Sequence, residues 1–278
     1  VETLGGELVS YRDERGLEYI WGGDTAYWPG RNPLLFPIVG MLKEGKIRFD
    51  GREYAMERHG FARRREFTPA ARGEDWVRLE LRGSAETLAL YPYSFRLAVE
   101  QRLTDTGFST AVTVANPGEG PLPFCLGAHT GFRCPLEAGE RFEDYELVFP
   151  ERESCPTLLL RDGLLDRPAA LPCLEDTDTL PLDYRWFDAL DTLIFEGLRS
   201  RSVTLRSRKS GRGVRVSFDG FPMLAFWTMP GKKAPYLCIE PWHGCAAGTA
   251  EGPEFTDKAH CIVLAPGDPS VFGTDPGI

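Results

Sequence analysis

An all-β fold, a sandwich or a barrel, is what this 278-residue sequence predicts, and three observations carry the prediction. Short runs alternate apolar and polar residues, the signature of strands buried on one face. These runs recur at roughly 10 to 15 residues, too closely for helices to be threaded between parallel strands. Thirty glycines and 22 prolines fall between the runs as punctuation. No amphipathic stretch exceeds about three helical turns.

Taken along the chain, KIRFDGREYAM (46–56) reads as a hairpin about Asp50-Gly51. WVRLELR (76–82) is a strand and SAETLALYP (84–92) a short helix. FRLAVEQRL (95–103) sets Phe95, Leu97, Val99 and Leu103 on one face; after the DTG turn, FSTAVTVAN (108–116) alternates again through Phe108, Thr110, Val112 and Val114. That is a second hairpin. PLPFCLG (121–127) is an apolar strand that delivers His129 just past its end. YELVFP (145–150) and TLLLRDG (157–163) are two further strands. The stretch 163–190, rich in Pro, Asp and Leu, reads as a long irregular connection, and YRWFDALDTLIF (184–195) as the second short helix. SVTLRSR (202–208), GVRVSFDG (213–220), MLAFWTM (223–229) and CIVLAPGD (261–268) complete the strands. No repeat and no break in composition divides the chain, which predicts one domain over 1–278.

Composition narrows the function. The net charge of −9 argues against a polyanion as partner, so no nucleic acid is expected. No apolar run approaches the length of a membrane span, and the first residues lack the basic start and apolar core of a signal peptide. Seven cysteines, an odd count in a chain with ample core, read as free thiols in a reducing cytoplasm.

A few polar residues interrupt the strand pattern. His59, in RHGFAR, and His129, in CLGAHTGF, each stand beside a glycine and close to a phenylalanine, which suggests two turns facing one cavity. The other two histidines are His243 and His260. In PYLCIEPWHGC (235–245), Glu240 ends an apolar strand and Pro241 follows it. Two readings are open: a carboxylate capping a turn or paired with one of many arginines, or a general base held extended by Pro241 and tuned by Trp242. Trp21, Tyr27, Trp28, Phe36, Trp227 and Trp242 lie in or beside loops and suit a pocket for a polyhydroxylated ring. Cys238, His243 and Cys245 have the composition of a zinc site but not its spacing, and alternation scatters them over two faces. No phosphate loop and no G-x-S-x-G nucleophile motif occurs. No metal or other cofactor is expected.

The stretch YWPGRNPLLFPIVGMLKEGKIRFDGREYAMERHGFARRREF (27–67), with GAHTGF (127–132), LDTLIFEGLRSRSVTLRS (190–207) and YLCIEPWHG (236–244), resembles the aldose 1-epimerase (galactose mutarotase) family, most nearly its LacX-like branch. The resemblance runs through nearly the whole chain. It implies a large β-sandwich, a supersandwich, with an open groove for a free sugar, and an isomerase that interconverts anomers by ring opening and reclosure. It maps the base onto Glu240, the acid onto His129, and a second histidine near the ring oxygen onto His59. Asp191 matches the sugar-binding aspartate, with Asp188 three residues away as the alternative; Arg31, Trp242 and His243 are further candidates for the sugar. Met41 stands where LacX-like members commonly carry arginine, which implies a changed grip on the substrate. The expected partner is a small sugar, with no membrane, and the expected assembly a monomer or homodimer. Two other functions stay open. One is a hexose-6-phosphate 1-epimerase, with an arginine cluster drawn from Arg63, Arg64 and Arg65 or Arg31; the other is a carbohydrate-binding or sensing protein without catalysis. Hydrolysis would need a second carboxylate that only Asp191 could supply.

Overall fold

A computed structural model describes residues 1–277. Fifteen strands form a single curled sheet; two further pairs, Leu122–Phe124 with Ile262–Leu264 and Lys46–Phe49 with Arg52–Ala55, stand apart from it. The chain is mostly β, as the alternation requires. WVRLELR is the strand Trp76–Arg82, and the hairpin that follows is Arg96–Thr104 against Gly107–Ala115, in register from Arg96–Ala115 to Thr104–Gly107. Phe95, Leu97 and Val99 are buried as expected, but Leu103, beside the turn, is 55% exposed. Ser202–Ser207, Gly213–Ser217 and Met223–Trp227 fall inside the predicted strands. No helix among the described residues is long and apolar enough to cross a membrane.

Several expectations need correction. YELVFP and TLLLRDG are parts of one strand, Tyr145–Arg161. The expected irregular connection is instead the 18-residue strand Leu164–Pro181, paired with Tyr145–Arg161. Register shifts interrupt that pairing between Val148 and Glu153 and again beyond it, so neither strand keeps the period of two. Apart from an isolated bridge between Leu165 and Gly248, Leu164–Pro181 pairs on one side only, which is why Pro168 and Pro172 are tolerated within it. The helix read at 184–195 is Tyr184–Leu190; Asp191, with φ of 64°, ends it, and Thr192–Glu196 is a strand. The apolar run 121–127 breaks at Cys125 into Leu122–Phe124 and Leu126–Ala128, which join different sheets. In 261–268 only Ile262–Leu264 is strand.

The strand Tyr236–His243 carries the division of the interior. Leu237 and Ile239 face a core that includes Phe132, Tyr145, Phe195 and Phe226. On the opposite face, Tyr236 and Cys238 pack with Trp21, and Trp242 joins the core around Phe36, Phe61 and Phe95. Alternation therefore sets Tyr236, Cys238, Glu240 and Trp242 in one row.

Candidate active site

Antiparallel register brings the two most unusual polar residues together. Gly127 pairs with Trp242 and Thr130 with Ile239, so His129, in the break between Leu126–Ala128 and Thr130–Arg133, stands directly across from Glu240. His129 Nε2 lies 3.3 Å from Glu240 Oε1. Both side chains are buried. Cross-strand neighbours at this separation meet face to face, and this is what the glycine-flanked histidine turn achieves.

Aromatic rings wall the pair. The Trp28 ring is 4.8 Å from that of His129 and tilted by 31°, and Trp227 meets it edge-on at 5.6 Å. His59 stands at right angles to His129, 5.6 Å between ring centres. Its Nδ1 accepts from the Gly40 N–H at 3.1 Å, while the His59 N–H donates to the Gly40 carbonyl at 2.9 Å. An accepting Nδ1 leaves the ring proton on Nε2.

The turn that holds His59 is tight for a stated reason. His59 and Gly60 both have positive φ, 67° and 71°, and a Cβ at Gly60 would stand 2.2 Å from the Phe36 carbonyl oxygen. Gly60→Ala is therefore expected to cost at least about 2 kcal/mol by strain and clash, and to displace His59. Urea unfolding checks it; stability within about 0.5 kcal/mol of wild type would show that the turn relaxes.

These residues line a cavity of about 260 Å³ together with Met41, Arg58, Arg63, Asp191, Thr192 and Trp242. Asp191, at the mouth, accepts from the Thr192 hydroxyl at 2.9 Å. Asp188 does not line the cavity and accepts instead from the Gly231 N–H. Two other candidates lie elsewhere. Arg31 donates through Nε to the Gly22 carbonyl and faces Glu2 at 3.6 Å. His243 falls on the opposite face of the strand from Glu240; its Nδ1 lies 2.9 Å from the His260 carbonyl oxygen and its ring packs on Phe272. That same alternation separates His243 from Cys238, so the zinc composition does not assemble as Cys238, His243 and Cys245. The donors that do gather are His129, Cys238 and Glu240, within 4.8 Å of one another. All seven cysteines are unpaired.

The model of the aldose 1-epimerase family matches residues 1–273. The chain belongs to that family. It is 42% identical over 277 residues to the plasmid-encoded protein LacX of Lactococcus lactis, covering 97% of this chain and 92% of LacX. The chromosomal LacX of the same organism is 41% identical with the same coverage. Among solved structures, a galactose mutarotase related enzyme from Lactobacillus acidophilus superposes with a TM-score of 0.95 at 28% identity, covering all of this chain and 92% of that one. A galactose mutarotase-like protein from Lactobacillus casei gives 0.90 at 28% identity, with 100% and 95% covered.

In this epimerase-family cavity, burial decides the protonation states. It pushes the Glu240 carboxyl well above the usual carboxylate range; the nearby Trp242 N–H favours the charged form, without completing a hydrogen bond, and Asp191 opposes it. Burial drives His129 down to about 3, and the charges of Arg63 and Arg58 push the same way. His59 is also held well below 6.5, by burial first and then by His129, Arg63 and Arg58. Burial thus favours a protonated carboxyl against a neutral imidazole. Moving that one proton across 3.3 Å gives carboxylate and imidazolium with no change in proton count.

This pairing has a thermodynamic signature. Between the ordinary carboxylate and imidazole values of 4.5 and 6.5, the unfolded chain carries one proton on His129 and none on Glu240. The folded pair also carries one, on the carboxyl, so its contribution to stability does not vary with pH across that window. His59 has no such partner. Its depressed pKa contributes stability that is complete above about pH 6.5 and is lost as pH falls. Glu240→Gln removes the cancelling proton, so His129 then adds to the acid loss. From pH 6.5 to 5, stability of this variant is expected to fall more steeply than wild type, approaching an extra ~1.4 kcal/mol per pH unit. His59→Asn is expected to fall less steeply. Parallel unfolding midpoints against pH for all three would contradict the neutral pair.

Proposed function

We propose that this chain is an aldose 1-epimerase that interconverts the α and β anomers of an aldose, using Glu240 and His129 as its acid–base pair. The observation that carries the reading is the in-register His129–Glu240 contact, a pair able to hold one proton in either place, inside an aromatic-walled cavity.

The reaction asks for little more. In the carboxylate–imidazolium form, Glu240 takes the proton from O1 while His129 gives one to O5. The C1–O1 bond becomes a carbonyl, and the C1–O5 bond breaks with its electron pair going to O5. The aldehyde turns about C1–C2 and the steps reverse on its other face. Each closure returns both protons, so the pair is ready again. Positioned groups of this kind contribute roughly 10²- to 10⁴-fold each. The His59 Nε2–H is a donor for the ring or open-chain oxygen, Asp191 an acceptor for a hydroxyl, and Trp28 and Trp227 are faces for the ring. We place this chemistry on one β-sandwich domain of the mutarotase type, acting in the cytoplasm as a monomer or homodimer.

Polarimetry of freshly dissolved α-anomers from a panel of aldoses tests the proposal. The expected result is a decay to equilibrium whose rate rises in proportion to protein concentration. Sugar binding with no rate effect by folded protein would leave only the carbohydrate-binding reading.

A further inference from the structure

We infer that two tryptophans bracket the shared proton and stabilise its charge-separated form: Trp242 by its N–H on the Glu240 carboxylate, Trp28 by its ring face on the His129 imidazolium. This rests on the ring-opening reading above, and both tryptophans act through the pair as positioning residues.

The glycines on either side of His129 seat one indole each. A Cβ at Gly127 would stand 2.8 Å from Trp242 Cδ1, the carbon bonded to the indole nitrogen. A Cβ at Gly131 would stand 3.0 Å from Trp28 Cζ3, and one at Gly30 only 2.5 Å from Cζ2 of the same ring. GAHTGF thus places both rings as well as the histidine between them.

Trp242 follows Glu240 by two residues, so both face the cavity from one side of their strand. Trp242 Nε1 and Glu240 Oε2 are each buried without a hydrogen-bond partner. An indole N–H can only donate, and it bonds a carboxylate more strongly than a neutral carboxyl. The donor therefore contributes most once Glu240 is charged. His129 Nδ1 is also buried without a partner, where a charged histidine commonly bonds a carbonyl or carboxylate. Its own carbonyl favours the charged ring without completing a hydrogen bond. The Trp28 face, 4.8 Å away and tilted by 31°, lies within reach of a cation–π contact, which strengthens on desolvation.

The charged groups facing the pair work against its ionisation. Arg58 and Arg63 disfavour the imidazolium, and Asp191 disfavours the carboxylate. Burial keeps His59, beside His129, uncharged, and also Cys238 and Tyr236 on the strand of Glu240. All six stay in place when either tryptophan is replaced.

Polarimetric kcat and KM measured against pH test both indoles. Trp242→Phe is expected to lower kcat by about tenfold to a hundredfold, with little change in KM. Losing a donor that favours the carboxylate raises the pH at which the pair gives up its proton. The alkaline limb of the profile is therefore expected to move up by about one pH unit or more. Trp28→Leu is expected to lower kcat by about tenfold, and Trp28→Phe by less, because phenylalanine keeps a ring face. Losses confined to KM would place the indoles on the sugar and overturn the inference. So would an alkaline limb unmoved in folded Trp242→Phe, or an unchanged kcat in folded Trp28→Leu. A readout on the wild-type chain covers variants that misfold: the indole N–H signal of Trp242 in protein made with isotope-labelled tryptophan. That signal is expected to move downfield as pH rises through the ionisation of Glu240, and to stay still in Glu240→Gln. The same behaviour in both proteins would overturn the inference. If no sugar is turned over, the ring-opening reading fails instead, and the signal still decides whether Trp242 holds the carboxylate.

Discussion

Glu240→Gln is expected to lower kcat for anomer interconversion by about 10²- to 10⁴-fold with the fold intact. The substitution keeps the size of a buried side chain and removes only its ability to take a proton. Burial already favours the neutral form of Glu240, so the amide replaces a protonated carboxyl without introducing a volume change. Sugar affinity should change little, since the glutamine still offers a carbonyl oxygen where Oε1 faced His129. Turnover measured by polarimetry and affinity by calorimetry separate the two effects. A variant that keeps near wild-type kcat would show that the carboxylate caps structure and catalyses nothing.

His129→Asn is expected to cost at least about 10²-fold in kcat, because asparagine accepts and donates hydrogen bonds but cannot deliver a proton to O5. The side chain is also packed between Trp28 and Trp227, so some loss of stability will accompany the loss of rate. Activity per folded molecule distinguishes the two roles. The pH profile adds an independent reading. Wild-type kcat/KM should fall on the acid side as the pair takes up a second proton, near the value of about 3 to which His129 is depressed. It should fall on the alkaline side as the pair gives up its shared proton, above the ordinary carboxylate range. A profile without an alkaline fall would mean that the shared proton is not required.

Much of the fold was readable because alternation survives wherever one face of a strand is buried. Trp76–Arg82 is the clearest example, and the register of the hairpin after it follows from its turn. Leu164–Pro181 was not readable. Bulges break its period, its prolines read as loop signals, and pairing on one side only beyond Leu165 allows both. The site divides along the same line. His129 and Glu240 stood out because each interrupts an apolar strand, and their contact is set by register, which no single strand reveals. His243 looked equally eligible three residues on, but an odd offset along a strand means the other face. Arg31 shares a loop with Trp28, yet its guanidinium turns to Gly22 and Glu2. Arg58 drew no attention in a basic run, since only the folded chain shows which of those arginines are paired with carboxylates.

The central claim is that one proton, shared between Glu240 and His129, drives ring opening. Exchange NMR at anomeric equilibrium tests it most directly, because it reads the α–β interconversion rate itself with no coupled enzyme. Wild-type protein is predicted to raise that rate for at least one neutral or anionic aldose, and Glu240→Gln and His129→Asn to return it nearly to the uncatalysed value. An unchanged rate with every sugar in the presence of folded wild-type protein, or full acceleration by either variant, would contradict the account.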